Sequence, residues 1–204
     1  LEKLSALGKP LVIVLAAGSS VNVGVKCSAL LDMWYPGQMG GRALAQLLFG
    51  DVSPSGKLPV TFYKSAELLP DIRDYSMQGR TYRYCAPENV LYPFGHGLSY
   101  AKFSLSQPEF TQNTATVTLT NGSGFYAEDV VQLYIRGDSE YDVPNGSLCG
   151  FCRVGLAPGE GRRITMEIPA EAFDTVFPDG SVGTRYILTV KDGTGTDVAG
   201  EIKL

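Results

Sequence analysis

The chain has little of the side-chain chemistry on which many catalytic and metal sites depend. Its 204 residues include one histidine, His96, and one tryptophan, Trp34. There is no second histidine to share a metal ion, and no serine or cysteine nucleophile motif accompanies His96. We therefore expect His96 to act in packing or hydrogen bonding rather than in proton transfer.

Excess positive charge and long apolar runs are also missing. The formal net charge is −4, and lysines and arginines do not cluster into a run. Such a balance gives no long-range attraction for nucleic acid or for acidic membranes. The longest apolar run, PLVIVLAAG, is far shorter than the roughly 20 residues that span a bilayer. We expect neither a nucleic-acid partner nor a membrane partner.

The four cysteines, Cys27, Cys85, Cys149 and Cys152, include one close pair in the motif CGFC. Structural zinc requires four ligands, and residues three apart in a strand point to opposite faces. Free thiols are therefore the expectation, with half a zinc site or a disulfide as alternatives. We predict no metal and no cofactor, and free thiols favour a reducing compartment.

The first ten residues, LEKLSALGKP, lack an initiator methionine. Leu1, Leu4 and Leu7 recur at helical spacing until Gly8 and Pro10 interrupt the pattern. This predicts the last turns of a helix whose beginning is missing. We expect the chain to be a piece of a longer polypeptide.

Residues 1–70 alternate between strand and helix patterns. PLVIVLAAG is typical of a strand buried on both faces of a parallel sheet, and SALLDMWYPG predicts a second strand. QMGGRALAQLLFGDV predicts a helix ending at Gly50. These elements form only part of an α/β sandwich, so they require partner strands from elsewhere.

Residues 71–100 predict a long, ordered and aromatic connection, and such connections are usually functional or fixed to another surface. The stretch DIRDYSMQGRTYRY mixes tyrosines with charged residues. Two roles remain open for it. Ion pairs among its charges fix the connection in place, or Asp74, Tyr75 and Arg80 contact sugar at the rim of a neighbouring active site.

Residues 101–204 show strand patterns at short spacing. Alternating stretches, separated by glycine- and proline-containing turns, are TATVTLT, EDVVQLYIRG, RRITMEIP and TRYILTVKD. The cysteine–tryptophan–cysteine pattern of antibody domains is missing. This region therefore predicts an all-β, immunoglobulin-like sandwich of the fibronectin type III kind.

Several long motifs resemble glycoside hydrolase family 3. WYPGQMGGRALAQLLFGDVSPSGKLPVTFYKS resembles the end of that family's second domain, and YPFGHGLSYAKF resembles the stretch leading into its C-terminal domain. EDVVQLYIR and GFCRVGLAPGEGRRITMEI resemble its fibronectin type III-like domain. DYSMQGRTYRY is most similar to the β-xylosidase and β-glucosidase branches seen in bacteria. Together with the free thiols expected above, this favours a bacterial cytoplasmic location.

The resemblance implies retaining hydrolysis of β-linked glycosides, which requires two carboxylates about 5 Å apart. In the family, the nucleophile is an aspartate on an N-terminal (β/α)8 barrel, and the acid/base is a glutamate upstream of this region. Neither motif is present here, so we predict no catalytic residue. The implied partners are the barrel and the remaining α/β domain, with an oligosaccharide as the substrate of the whole enzyme.

Two other functions stay open. The sandwich could bind carbohydrate or protein through an aromatic row drawn from Tyr126, Tyr134, Tyr141 and Tyr186. Alternatively, the chain is one subunit of a split glycosidase.

Two further motifs give local expectations. Trp34 and Tyr35 either pack into the core or form a sugar platform. In LYPFGHGLSY, the proline and glycines predict a bend at a junction, with Leu91, Phe94 and Leu98 as apolar anchors.

Overall fold

The N-terminal segment, residues 1–64, contains two short helices and three short strands. The computed structural model describes residues 1–173 and 175–203. The elements are α1 (Glu2–Ser5), β1 (Val12–Leu15), β2 (Ala29–Asp32), α2 (Gly40–Phe49) and β3 (Phe62–Tyr63). β1 and β2 run parallel, with Val12 opposite Ala29 and Leu15 opposite Asp32. The predicted parallel arrangement is therefore present.

Helix α2 ends where the sequence predicts. Gly50 takes a left-handed conformation with φ 77°, and its N–H donates to the carbonyls of Gln46 and Leu47. A residue without Cβ adopts this conformation at little cost. On the apolar side of the helix, Leu44 and Leu47 are half-buried.

The expectation that β1 is buried on both faces is wrong. Ile13 is buried, but Val12 and Val14 are 45% and 36% exposed. The reason is that, among the described residues, this sheet has only two strands and no layer covers its second face. The leucines of the predicted N-terminal helix are likewise exposed along α1.

A second small sheet follows. β3 pairs antiparallel with β4 (Val90–Tyr92), and α3 (Thr81–Tyr84) lies in the connection between them. Two short 3₁₀ turns, Ala66–Leu68 and Pro87–Asn89, complete this region.

The predicted all-β sandwich is confirmed. One sheet contains β5 (Phe103–Leu105), β6 (Glu109–Phe110), β7 (Thr114–Asn121) and β10 (Gly161–Glu167), with β7 at its centre. The other has the order β12 (Asp197–Lys203), β11 (Arg185–Lys191), β8 (Ala127–Gly137) and β9 (Ser147–Leu156). The four stretches of alternating sequence correspond to β7, β8, β10 and β11.

The core of the sandwich lies between these two sheets. Along β7, every second residue is buried, and the buried side chains face those of β8 and β11. Fully buried leucines from four strands are Leu119, Leu133, Leu156 and Leu188. Burying each leucine contributes roughly 1.5–3 kcal/mol to folding, so this core is the main source of stability.

A buried ion pair joins the N-terminal segment to the sandwich. The Lys57 ammonium lies 2.6 Å from Asp129 Oδ1, and the two side chains are 7% and 0% exposed. Lys57 also donates a hydrogen bond to the Gly97 carbonyl over 2.9 Å. Removing one partner of such a pair is costly because the other charge stays buried and uncompensated.

The turn at residues 95–97 passes through the same junction. Gly95 has φ 80°, and its carbonyl accepts a hydrogen bond from Gln132 Nε2 over 3.0 Å. A Cβ at Gly95 would collide with Gln132 Oε1. Gly97 N–H donates to the Gly193 carbonyl over 3.1 Å. The two glycines therefore allow the chain to pass against both β8 and the turn after β11.

A second carboxylate, Asp192, lies near the ion pair. Burial raises the pKa of Asp129, the Lys57 ammonium opposes that rise, and the negative charge of Asp192 adds to it. Asp192 is fully buried, and its Oδ1 accepts hydrogen bonds from Thr194 and Thr196. The positive charge of Lys57 therefore offsets part of the free-energy cost of burying negative charge at this junction.

Replacing Lys57 with methionine should destabilise the chain most strongly at neutral pH. The variant leaves the Asp129 carboxylate buried without a cation. This should lower the free energy of unfolding by about 3–5 kcal/mol. A raised carboxyl pKa means that the folded state holds a proton more tightly than the unfolded chain. The loss should therefore shrink as the pH falls and Asp129 takes up a proton.

Urea unfolding at pH 7.5 and pH 5 measures this difference. The control is Lys57→Met combined with Asp129→Leu, which removes both charges and should recover most of the stability. Equal losses in the single and double variants, or a loss that does not change with pH, would contradict the ion-pair account.

Candidate functional site

The predicted rim residues Asp74, Tyr75 and Arg80 lie in one exposed loop between β3 and β4. Asp71 accepts two hydrogen bonds from the Arg73 guanidinium, over 3.0 and 2.9 Å. Asp74 instead accepts bonds from the backbone and hydroxyl of Ser76, over 2.9 and 3.1 Å. Ion pairing therefore occurs at Asp71, and Asp74 forms a local turn.

The Arg80 guanidinium closes the loop through backbone contacts. It donates to the carbonyls of Asp71 and Asp74 over 2.8 and 2.6 Å, and to that of Ser76 over 3.1 Å. Arg80 therefore bonds to carbonyls, whereas the ion pair of this loop joins Arg73 to Asp71. The guanidinium presents several donors in one plane, so it can bind three carbonyls of a short loop at once.

These bonds leave the tip of the loop exposed. The side chains of Ile72 and Tyr75 are 89% and 93% exposed. Tyr63 of β3 donates a hydrogen bond to the Gly79 carbonyl over 3.0 Å, which fixes the base of the loop. The loop is therefore ordered internally and presents an aromatic ring outward.

The carboxylates of this loop are poor candidates for a general acid. The bond to Arg73 lowers the pKa of Asp71 to about 2. Hydrogen bonds from Ser76 also lower the pKa of Asp74. A general acid requires a carboxyl pKa raised towards the working pH, which is the opposite direction.

His96 packs at the junction. Its ring stacks on Tyr92 with centroids 5.7 Å apart, and its backbone carbonyl accepts a bond from Leu58. Burial lowers the pKa of His96, and the nearby Lys57 ammonium lowers it further, so the imidazole is neutral at pH 7. Leu91 and Phe94 are half-buried, but Leu98 is 65% exposed, so within the residues that the structure describes it is not the apolar anchor that the sequence predicts.

An aromatic cluster borders this junction. Tyr82 stacks on Phe94 with centroids 4.2 Å apart, and both rings meet Tyr134 of β8 edge-on. Asn145 donates to the Tyr82 and Cys85 carbonyls over 3.0 and 2.7 Å. Between the connection and the sandwich lies an open cavity of about 560 Å³. The connection is therefore held to the sandwich by both rings and hydrogen bonds.

Trp34 and Tyr35 take different environments. Trp34 is half-buried and its ring meets Phe62 edge-on at 6.4 Å. Tyr35 is 82% exposed. Trp34 therefore packs in the core, whereas Tyr35 does not.

An aromatic row on the sandwich is not formed. Tyr134 and Tyr186 are 6% and 0% exposed, because Tyr186 belongs to the core between the sheets and Tyr134 is covered by Tyr82 and Phe94 of the connection. Tyr126 and Tyr141 are exposed but lie beyond opposite ends of β8. An extended strand of that length separates them by roughly 30 Å, too far for one continuous platform.

The two cysteines of CGFC both pack against the sandwich core. The expectation of opposite faces is wrong because β9 has a bulge, in which Leu148 and Gly150 pair with neighbouring residues of β8 and Cys149 is extra. All four cysteines are free thiols. Burial raises the pKa of Cys149 to about 11, so its thiol keeps its proton.

Across residues 1–173 and 175–203, no group of three potential metal ligands is present. None of the helices there has the length and apolar character that crossing a membrane requires.

Family models match most of the chain. The glycosyl hydrolase family 3 C-terminal domain matches residues 1–100, and the fibronectin type III-like domain matches residues 129–185. A xylan 1,4-beta-xylosidase of Xylanibacter ruminicola is 39% identical over 90% of the chain. A periplasmic beta-glucosidase of Salmonella typhimurium is 36% identical over 83% of it. The chain spans 22% and 25% of the length of these two relatives.

Solved structures agree with the sequence matches. DesR, a beta-glucosidase from Streptomyces venezuelae in complex with D-glucose, superposes with a TM-score of 0.84 at 29% identity, over 98% of this chain and 30% of that one. A family 3 beta-glucosidase from Bifidobacterium adolescentis gives 0.82 at 30% identity, over 100% and 34%. The chain therefore belongs to glycoside hydrolase family 3, in which it corresponds to the C-terminal domain followed by the fibronectin type III-like domain.

Proposed function

We propose that this chain acts as the C-terminal, non-catalytic portion of a retaining β-glycosidase. The whole enzyme would release terminal β-linked glucose or xylose from oligosaccharides, as the names of its relatives suggest. The chain completes the α/β domain and braces the (β/α)8 barrel that carries the nucleophile. A division into residues 1–70, 71–100 and 101–204 belongs to the same proposal.

The observation that carries this proposal is the uncovered apolar surface of the N-terminal segment. Parallel sheets are normally covered on both faces, whereas β1 exposes valines on one face here. The exposed apolar side chains of this segment include Leu1, Leu4, Leu7, Val12, Val14, Met39, Leu48 and Phe49. A surface of this kind fits a further strand and helix layer.

The same surface serves a split enzyme, in which a separate chain supplies the barrel. The exposed apolar surface is equally compatible with a split enzyme and with one continuous polypeptide, so it does not favour either. The aromatic-row hypothesis has less support, because two of its four tyrosines are buried.

Complementation tests the main proposal. The chain alone should not hydrolyse p-nitrophenyl β-xyloside or β-glucoside, because it lacks the catalytic carboxylate pair. Adding the separately expressed upstream part of the longer polypeptide should restore turnover. Turnover by the chain alone, or a failure of the two parts to bind each other in gel filtration, would contradict the proposal.

We also propose that the loop with Asp74, Tyr75 and Arg80 lies at the rim of the active site. Tyr75 supplies the exposed contact, and Arg80 and Asp74 hold the loop in shape through the local bonds described above. Support comes from the combination of internal order and a 93% exposed ring. Preorganised aromatic side chains make contacts at low entropic cost.

In the whole enzyme, Tyr75→Ala should raise KM for the glycoside by about two- to tenfold. This range corresponds to the roughly 0.5–1.5 kcal/mol of one aromatic contact. Steady-state kinetics measures the effect, and Tyr141→Ala is the control, since Tyr141 is an exposed tyrosine of the sandwich. A lower melting temperature with an unchanged KM would refute the rim assignment.

A further inference from the structure

The loops that follow β1 and β2 leave the sheet at the same edge. Because the two strands are parallel, residues 16–20 and 33–37 both begin at their carboxyl ends. In open α/β sheets, ligands bind in the crevice outside the carboxyl ends of the strands. This edge is therefore the place in the N-terminal segment where a ligand contact is expected.

Tyr35 lies at this edge with its ring fixed on one side. A Cβ built on Gly18 would lie 2.5 Å from Tyr35 Oη, 2.7 Å from Cε2 and 2.8 Å from Cζ. The ring thus rests against the bare backbone of Gly18 in the other loop. Since Tyr35 is still 82% exposed, its remaining surface faces solvent.

The backbone before Tyr35 has a costly conformation. Trp34 has φ 50°, the left-handed region that bulky residues rarely adopt. Its N–H donates to Asp32 Oδ1 over 3.1 Å, and its ring is held against Phe62. These contacts fix Trp34 inward and place the next side chain outward.

The surroundings of Tyr35 differ from those of the apolar surface on α1 and α2. Its neighbours in the two loops are small or polar and exposed, namely Ser19, Ser20, Pro36 and Gly37. A flat, exposed ring in a polar loop suits a sugar, whose C–H face stacks on the ring while its hydroxyls form hydrogen bonds.

We propose that Tyr35 is a platform for a pyranose ring of the oligosaccharide substrate. This inference rests on the proposed glycosidase function and adds a binding residue to it. Because Gly18 has no side chain, the Tyr35 ring can rest against its backbone. Gly18 and Tyr35, in different loops, therefore both determine the contact between the ring and the sugar.

Kinetics of the whole enzyme with xylo- and cello-oligosaccharides tests the platform. Tyr35→Ala should raise KM about two- to tenfold, and Tyr35→Trp should retain binding. Gly18→Ala should also raise KM, since Gly18 has no positive φ and alanine there acts through the ring. In a Tyr35→Ala background, Gly18→Ala should have no further effect. Phe151→Ala, which removes an exposed ring from β9 of the sandwich, is the control with unchanged KM.

The outcomes separate this inference from the proposed function. An unchanged KM with a lower melting temperature in Tyr35→Ala would overturn the platform and make Tyr35 a docking contact for the barrel. If the whole enzyme does not hydrolyse any β-glycoside, the proposed function fails. Calorimetric titration with the same oligosaccharides then tests whether Tyr35 binds sugar. Equal heats of binding for wild type and Tyr35→Ala would overturn the platform.

Discussion

A lysine ammonium and an aspartate carboxylate, buried together between two parts of the chain, determine how the rest of the molecule is arranged. Lys57 reaches from the N-terminal segment to Asp129 on β8, where both charges are shielded from water. The pair is tolerable only because the attraction offsets desolvation, and because the Gly97 carbonyl supplies another acceptor. Gly97 and Gly193 have to lack side chains for the lysine to pass, because a Cβ at these positions would lie 3.0 and 2.8 Å from Lys57 Cδ.

This junction connects a sandwich with a closed core to an N-terminal segment whose sheet is covered on one face only. The sandwich closes its own core between two sheets, whereas the N-terminal segment leaves one face of β1 uncovered. The sandwich thus supports the N-terminal segment, whose exposed apolar surface suits a further layer of strands and helices. In a family 3 enzyme, such an arrangement would let the C-terminal region hold the α/β domain in place and position the loops with Tyr35 and Tyr75.

Local patterns in the sequence were enough to predict the strands β7, β8, β10 and β11 and the end of α2 at Gly50, because alternation and a left-handed cap are local properties. The predicted junction at LYPFGHGLSY corresponds to the observed turn. The partner of Lys57 was missed, although Asp129 falls on the inward-facing positions of β8 with Val131 and Leu133. The bulge at Cys149 and the outward turn of Tyr35 depend on contacts with residues distant in sequence, which periodicity does not contain.

The central claim, that the junction makes the two regions one cooperative unit, is tested most directly by urea unfolding followed with two probes. Trp34, the one tryptophan, reports on the N-terminal segment, and far-UV circular dichroism reports mainly on the sandwich strands. Coincident transitions with one midpoint are predicted, as expected of a two-state chain. A Trp34 transition at clearly lower urea than the circular dichroism transition would contradict the account.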